Sequence, residues 1–366
     1  MRGLADTVSR LSALNRARGA SLPDAGDGRL APLDLFGSNP GALDAFAFVP
    51  AGLEPGAPLV VVLHGCTQNA AGYDRGSGWS RLAERYGFAL LFPEQRRANN
   101  PNLCFNWFSP SDARRGSGEA LSIRQMVAQM VKLHRLDEAR IFVTGLSAGG
   151  AMTSVMLAAY PEVFAGGAVI AGLPFATANN VPEALDRMRG QGGPANDKLA
   201  GLVTRASDHR GPWPTLSVWH GTSDATVDVV NADVIVDQWR ALHRLGEGSG
   251  RVDVVDGYPR EVWIDASGRE VIEKYEISGM GHGTPLDPRG SEECGTAGPY
   301  MLDARICSTS HIARFWGITG AHIGHSAVRA EPEARARSSP VPDAVPTQTG
   351  VGKVIEDALR AAGLMR

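Results

Sequence analysis

The sequence predicts an α/β fold, a mostly parallel sheet flanked by helices, and three features carry that prediction. Short apolar runs without alternation, LVVVL at 59–63 and ALLF at 89–92, have the pattern of strands covered on both faces. Segments of helical period separate such runs. A serine turn framed by glycines at 145–149 joins one apolar run to a segment rich in small residues.

Taken in order, Trp79, Leu82, Ala83 and Tyr86 fall at i, i+3, i+4 and i+7, so 79–86 is a crossover helix that completes one βαβ unit. Ile123, Met126, Val127, Met130 and Val131 then share one face of a helix over 119–134, and 140–144 follows as a strand. The segment AGGAMTSVMLAAY at 148–160 predicts a buried helix ended by Pro161. Strands at 168–171 and 216–219 come next. Alternation at this spacing gives an open parallel sheet, and such sheets bind ligands beyond the carboxyl ends of their strands.

Residues 172–214, with Pro, Gly, Asn and a helical patch at 181–188, are too many for a simple connection. They read as a lid or substrate-binding insertion between the strands near 171 and 216. The turn DASG at 265–268 lies between EVWI and REVIEKYEI, a hairpin whose second arm joins the sheet and delivers the chain to His282. The expected organisation is an N-terminal amphipathic helix and lead-in at 1–40, with Leu4, Val8, Leu11 and Leu14 at helical spacing, and a catalytic domain at 41–320. A linker rich in Ala, Arg, Pro and Ser at 321–350 and a C-terminal amphipathic helix at 351–366 complete it.

A hydrophobic share of 43% with 20% charged residues suits a globular chain with a full core. The formal charge of −3 offers no basic face, so no nucleic-acid partner is expected. No apolar run approaches the roughly 20 residues of a spanning helix, so an integral membrane protein is not expected. Asp6, Arg10, Asn15 and Arg16 interrupt the stretch a signal peptide would need. As written, the N-terminus therefore predicts no export and leaves a cytoplasmic location open. Cys66, Cys104, Cys294 and Cys307 can pair in three ways, and their redox state stays open at this point. No HExxH or CxxC spacing occurs, and neither metal nor cofactor is expected.

A serine hydroxyl needs a base to take its proton and a geometry that exposes it. In Gly145-Leu146-Ser147-Ala148-Gly149 the glycines let a sharp strand-to-helix elbow form around Ser147, the candidate nucleophile. His282, in a glycine-rich loop after the final predicted strand, is the candidate base. Asp224, just beyond the strand at 216–219, is the candidate acid, with Asp228 as its rival and helix capping as the other use of Asp228. The order Ser, Asp, His is that of the α/β-hydrolase fold. His220 is a weaker candidate base whose place suggests a structural role, as do those of His64, His134 and His311. A tetrahedral intermediate needs two N–H donors. Ala148 supplies one, and Cys66, in the loop directly after LVVVL, supplies the other. Cys66 as nucleophile is the competing use of that residue, with Cys104 a candidate to tie it down. Asn106 and Trp107, in the aromatic segment CFNWF at 104–108, are candidate substrate-binding residues, with ordinary core burial as the alternative.

LHGCTQNA at 63–70, CFNWF, GLSAGGAM at 145–152, WHGTSD at 219–224 and GMGH at 279–282 together resemble the polyhydroxybutyrate depolymerase family of esterases, which is similar to feruloyl and acetylxylan esterases. The resemblance spans 46–316. It implies a serine esterase acting on short-chain hydroxyalkanoate poly- or oligoesters through an acyl-enzyme, with Ser147, Asp224 and His282 matching the family's triad and Cys66 its oxyanion loop. Phe105 stands where the family more often has Trp, and family members are commonly exported. Feruloyl or acetylxylan esterase activity is the enzymatic alternative. A polyester-granule or lipid-surface binder attached by its terminal helices is the non-enzymatic one.

Overall fold

Alternate residues of LVVVL face opposite ways, and both directions are covered, which is why the run carries no polar positions. Leu59, Val61 and Leu63 enter one apolar cluster with side chains of the long central helices, while Val60 and Val62 enter a second cluster on the other face. The structure, a computed structural model, describes residues 28–246, 250–290 and 294–319. The expected N-terminal helix, the linker and the C-terminal helix lie outside the described residues.

Strands β1 (Ala31–Pro32), β2 (Asp44–Phe48), β3 (Leu59–Leu63), β4 (Ala89–Glu94), β5 (Ile141–Leu146), β6 (Gly166–Ile170), β7 (Thr215–Gly221), β8 (Arg251–Val255), β9 (Tyr258–Ile264) and β10 (Glu270–Ile277) form one sheet. Their spatial order is β1-β2-β4-β3-β5-β6-β7-β10-β9-β8. The six strands from β4 to β10 in that order run parallel, and the flanking pairs are antiparallel. Helices α1 (Ala70–Ser77), α2 (Trp79–Tyr86) and α8 (Ser308–Phe315) contribute to one cluster, and α3 (Gly118–His134), α4 (Ala148–Ala159) and α7 (Val230–Arg240) to the other. Every residue of α4 is buried, so its run of Gly, Ala, Ser and Thr is what lets it lie close to the sheet.

The expected central strands and crossover helices are present, with ends shifted by a residue or two. The 172–214 insertion holds the expected helix α5 (Val181–Met188) and a second, α6 (Asn196–Thr204). The second arm of the expected hairpin joins the sheet, pairing in parallel with β7 as Ile277↔Gly221. The lead-in reaches the sheet as well, because β1 pairs with β2.

A buried charge network fixes the register of the strands that carry the later loops. Arg260 on β9 donates through Nε to Glu273 Oε2 on β10 at 2.7 Å, and Ser217 Oγ on β7 donates to Glu273 Oε1 at 2.7 Å. Trp219 donates to the same Ser217 and stacks on Tyr275 at 3.7 Å. Removing one member leaves the other charge buried and unpaired, whereas replacing both by apolar groups can be close to neutral. Arg260→Leu is therefore expected to lower unfolding stability by about 3–5 kcal/mol, and Arg260→Leu/Glu273→Leu by less. Urea midpoints check this, and a double variant no more stable than the single one would contradict it.

Candidate active site

Ser147 sits between β5 and α4 at φ 57°, ψ −118°, a backbone conformation that L residues rarely adopt and that costs about 1–3 kcal/mol. The turn closes because a Cβ at Gly145 would meet the Gly149 carbonyl carbon at 2.5 Å, and one at Gly149 would collide with the Leu63 carbonyl. Ser147 N–H donates to Ile170 O on β6 at 2.9 Å, which locks the elbow onto the neighbouring strand. The serine is half-buried, whereas Ala148 behind it is buried.

Adjacent parallel strands bring Asp224 and His282 together from distant parts of the chain. The loops leaving β7 and β10 are sewn by Thr222 N to Ile277 O at 3.1 Å, Ser223 N to Met280 O at 3.0 Å and Gly279 N to Thr222 Oγ1 at 2.9 Å. Gly221 has no side chain because Met280 O fills that space. The result is a hydrogen bond of 2.7 Å from His282 Nδ1–H to Asp224 Oδ2. With Nδ1 holding the proton, Nε2 is left with its lone pair, the state of a base.

Asp224 is otherwise saturated. Its Oδ1 accepts from Thr226 N at 2.8 Å and Val227 N at 2.9 Å, and His220 Nε2 lies 3.4 Å from Oδ2. Burial pushes the carboxyl pKa up, but the donors from His220 and His282, the His282 charge when present and the Val227 N–H together hold it well below the ordinary carboxylate range. It is a fixed anion at neutral pH. His220 is fully buried, donates to Val227 O at 2.9 Å and so backs the acid. Asp228 is occupied elsewhere: its Oδ1 accepts from Val230 N at 3.0 Å at the head of α7, the capping use.

The loop after β3 is tied to the aromatic segment. Cys66 is disulfide-bonded to Cys104, so its sulfur is not available as a nucleophile, and Thr67 N donates to Asn102 O at 2.7 Å. Cys294 is bonded to Cys307, which settles the pairing that spacing alone left open. The backbone N–H groups of Cys66 and Ala148 have no acceptor among the described residues. His64 lies buried below the loop, donating from Nδ1 to Gly65 O at 2.8 Å and accepting Gln95 N at Nε2 at 3.1 Å. Burial brings its pKa down to about 4 against the smaller effect of that Gly65 bond, so it is neutral.

Asn106 and Trp107 have other partners than an open cleft. Asn106 donates through N at 2.8 Å and Nδ2 at 2.7 Å to Glu119, a buried carboxylate that also receives Gln95 Nε2 at 2.6 Å. Trp107 is 6% exposed and meets Phe108 edge-on at 5.5 Å. Burial raises the Glu119 carboxyl to about 7 against the donors from Asn106 and Gln95. The sequence reading missed Glu119, since an acid in a first helical turn is an ordinary feature.

Closing a separation of 38 residues, the Cys66–Cys104 bridge removes chain entropy worth about 4 kcal/mol from the unfolded state. Cys66→Ser/Cys104→Ser is expected to unfold at a lower temperature than the oxidised protein. Equal midpoints for the two would contradict a closed bridge.

Residues 44–256 match the family description Esterase PHB depolymerase. The chain belongs to that family. Like other members it is a serine-type carboxylic ester hydrolase of α/β-hydrolase fold. The chain is 47% identical over 297 residues to Poly(3-hydroxyalkanoate) depolymerase C of Paucimonas lemoignei, covering 80% of this chain and 70% of that one. It is 30% identical over 275 residues to Feruloyl esterase B of Talaromyces stipitatus, covering 73% and 75%. Among solved structures, an acetyl xylan esterase from Aspergillus awamori superposes with a TM-score of 0.64 at 25% identity, over 70% of this chain and 94% of that one.

Proposed function

We propose that this PHB depolymerase-family esterase hydrolyses hydroxyalkanoate polyesters or their oligomers, with Ser147 as nucleophile, His282 as base and Asp224 as the acid that orients it. The observation that carries the assignment is the 2.7 Å bond from His282 Nδ1 to Asp224 Oδ2, made by loops that leave the same sheet end as the Ser147 elbow. Ser147 Oγ attacks the ester carbonyl carbon as His282 Nε2 takes its proton. The oxyanion accepts the unpaired N–H groups of Cys66 and Ala148. The tetrahedral species then collapses, the ester C–O bond breaks, and His282 returns the proton to the leaving alcohol oxygen. Water, deprotonated by the same imidazole, releases the acid and regenerates Ser147. The sequence uses no cofactor.

In this reading Trp107 backs the acyl side from the apolar cluster it shares with Ala148, and Asn106 holds that wall through Glu119. The polyester substrate is supported by the higher identity to the Paucimonas depolymerase than to the feruloyl esterase. The superposition on the Aspergillus acetyl xylan esterase favours a second reading, deacetylation of xylan. Parallel kinetics on 3-hydroxybutyrate oligomers, methyl ferulate and acetylated xylan separate them. The expected result is the highest kcat/KM on the oligomers, and turnover of the xylan alone would overturn the polyester assignment.

A further inference from the structure

We propose that Tyr300 recognises the alcohol half of the ester, selecting alcohols that carry a carbonyl group close to the leaving oxygen, as hydroxy-acid esters do. The inference rests on the reading of His282 as the group that returns a proton to the leaving oxygen, because whatever flanks that imidazole then meets the alcohol half of the substrate.

The Tyr300 ring stands edge-on to His282, with centroids 6.1 Å apart and planes at 80°. The side chain is half-exposed, and its hydroxyl has no hydrogen-bond partner among the described residues. Its backbone has φ +62°, a strained conformation for a bulky residue, and such strain persists only where the surroundings over-determine it.

Those surroundings are on both sides of Tyr300. Its carbonyl accepts Thr284 N at 2.8 Å, immediately after the His282 loop, and a Cβ at Gly283 would come within 2.7 Å of the same oxygen. The next residues form β12 (Met301–Asp303), which pairs in parallel with β11 (Thr284–Leu286). The Cys294–Cys307 bridge closes the segment, and Thr296 N to Gly76 O at 3.0 Å and Thr309 Oγ1 to Ser77 O at 2.8 Å fasten its two ends to α1. A rigid clamp therefore holds a phenol ring, its O–H unpartnered among the described residues, beside the His282 imidazole. A donor at that place suits a carbonyl on the departing alcohol, and the ring face suits its alkyl chain.

Two acetate esters isolate this contact. Ethyl 3-acetoxybutyrate and sec-butyl acetate share the acyl group and a secondary alcohol, only the first alcohol carries a carbonyl, and turnover of both is read as acetate released, which leaves out cleavage of the ethyl ester. Because both are acetates, the test does not depend on whether polyester is the natural substrate. In Tyr300→Phe, which keeps the ring, the ratio of kcat/KM for the acetoxybutyrate to that for the butyl ester is expected to fall about tenfold, the worth of one hydrogen bond. An unchanged ratio overturns the inference, whatever the absolute rates. His282→Ala serves as the separate arm. If it turned over sec-butyl acetate at the wild-type rate, the catalytic reading would fail, while the Tyr300→Phe ratio would still report on alcohol recognition.

Discussion

Ser147→Ala is expected to lower kcat for p-nitrophenyl butyrate by about 10⁶-fold, with KM changed far less. The hydroxyl is the only atom the substitution removes. Its φ of 57° is compatible with alanine at a cost the native serine already bears, so the elbow and the Ile170 hydrogen bond to the backbone are retained. The residual rate comes from binding and from the N–H groups of Cys66 and Ala148, which remain in place. Thermal unfolding close to wild type together with collapsed turnover is the expected pair of results. Undiminished turnover would remove Ser147 from the chemistry.

Asp224→Asn is expected to cost about 10⁴-fold in kcat. An amide is nearly isosteric with the carboxylate, and its Oδ1 can keep the Thr226 and Val227 N–H bonds. The position that receives His282 Nδ1–H then holds an NH2 group that can only donate, so Nδ1 must accept and Nε2 carries the ring proton toward Ser147, the tautomer that cannot act as base. The same variant has a signature in stability against pH. The Asp224 pKa is depressed in the fold from its ordinary 3.8, so its contribution is fully present above that value and is lost as pH falls through the depressed one. Wild-type urea midpoints should therefore fall more steeply below about pH 4 than those of Asp224→Asn. Parallel curves for the two proteins would contradict a stabilised anion at this position.

The centre of the fold was legible because strands covered on both faces begin as unbroken apolar runs, as in LVVVL and ALLF. The edges were harder to read. In β2, DAFAF buries one face only, and two alternate alanines are a faint signal. In β8, Val252 and Val254 are exposed, so burial left no mark there, although Asp256-Gly257 with both φ positive is the two-residue turn that a DG pair favours. The three proposed catalytic residues were found from elbow chemistry and chain order, since each follows a strand of the parallel sheet. The surroundings of those residues were not. Glu119 under the aromatic segment and Tyr300 beside His282 depend on contacts between residues well separated in the chain, and no local periodicity encodes them; His220, four residues before Asp224, was legible as structural, but not the atoms it meets.

The most direct test is labelling with a fluorophosphonate followed by mapping of the modified peptide by mass spectrometry. Phosphorus bonds only to an oxygen activated as a nucleophile, so the account predicts one adduct, on Ser147, forming far more slowly in His282→Ala than in wild type. An adduct on another residue, or equal labelling rates with and without the imidazole, would contradict it.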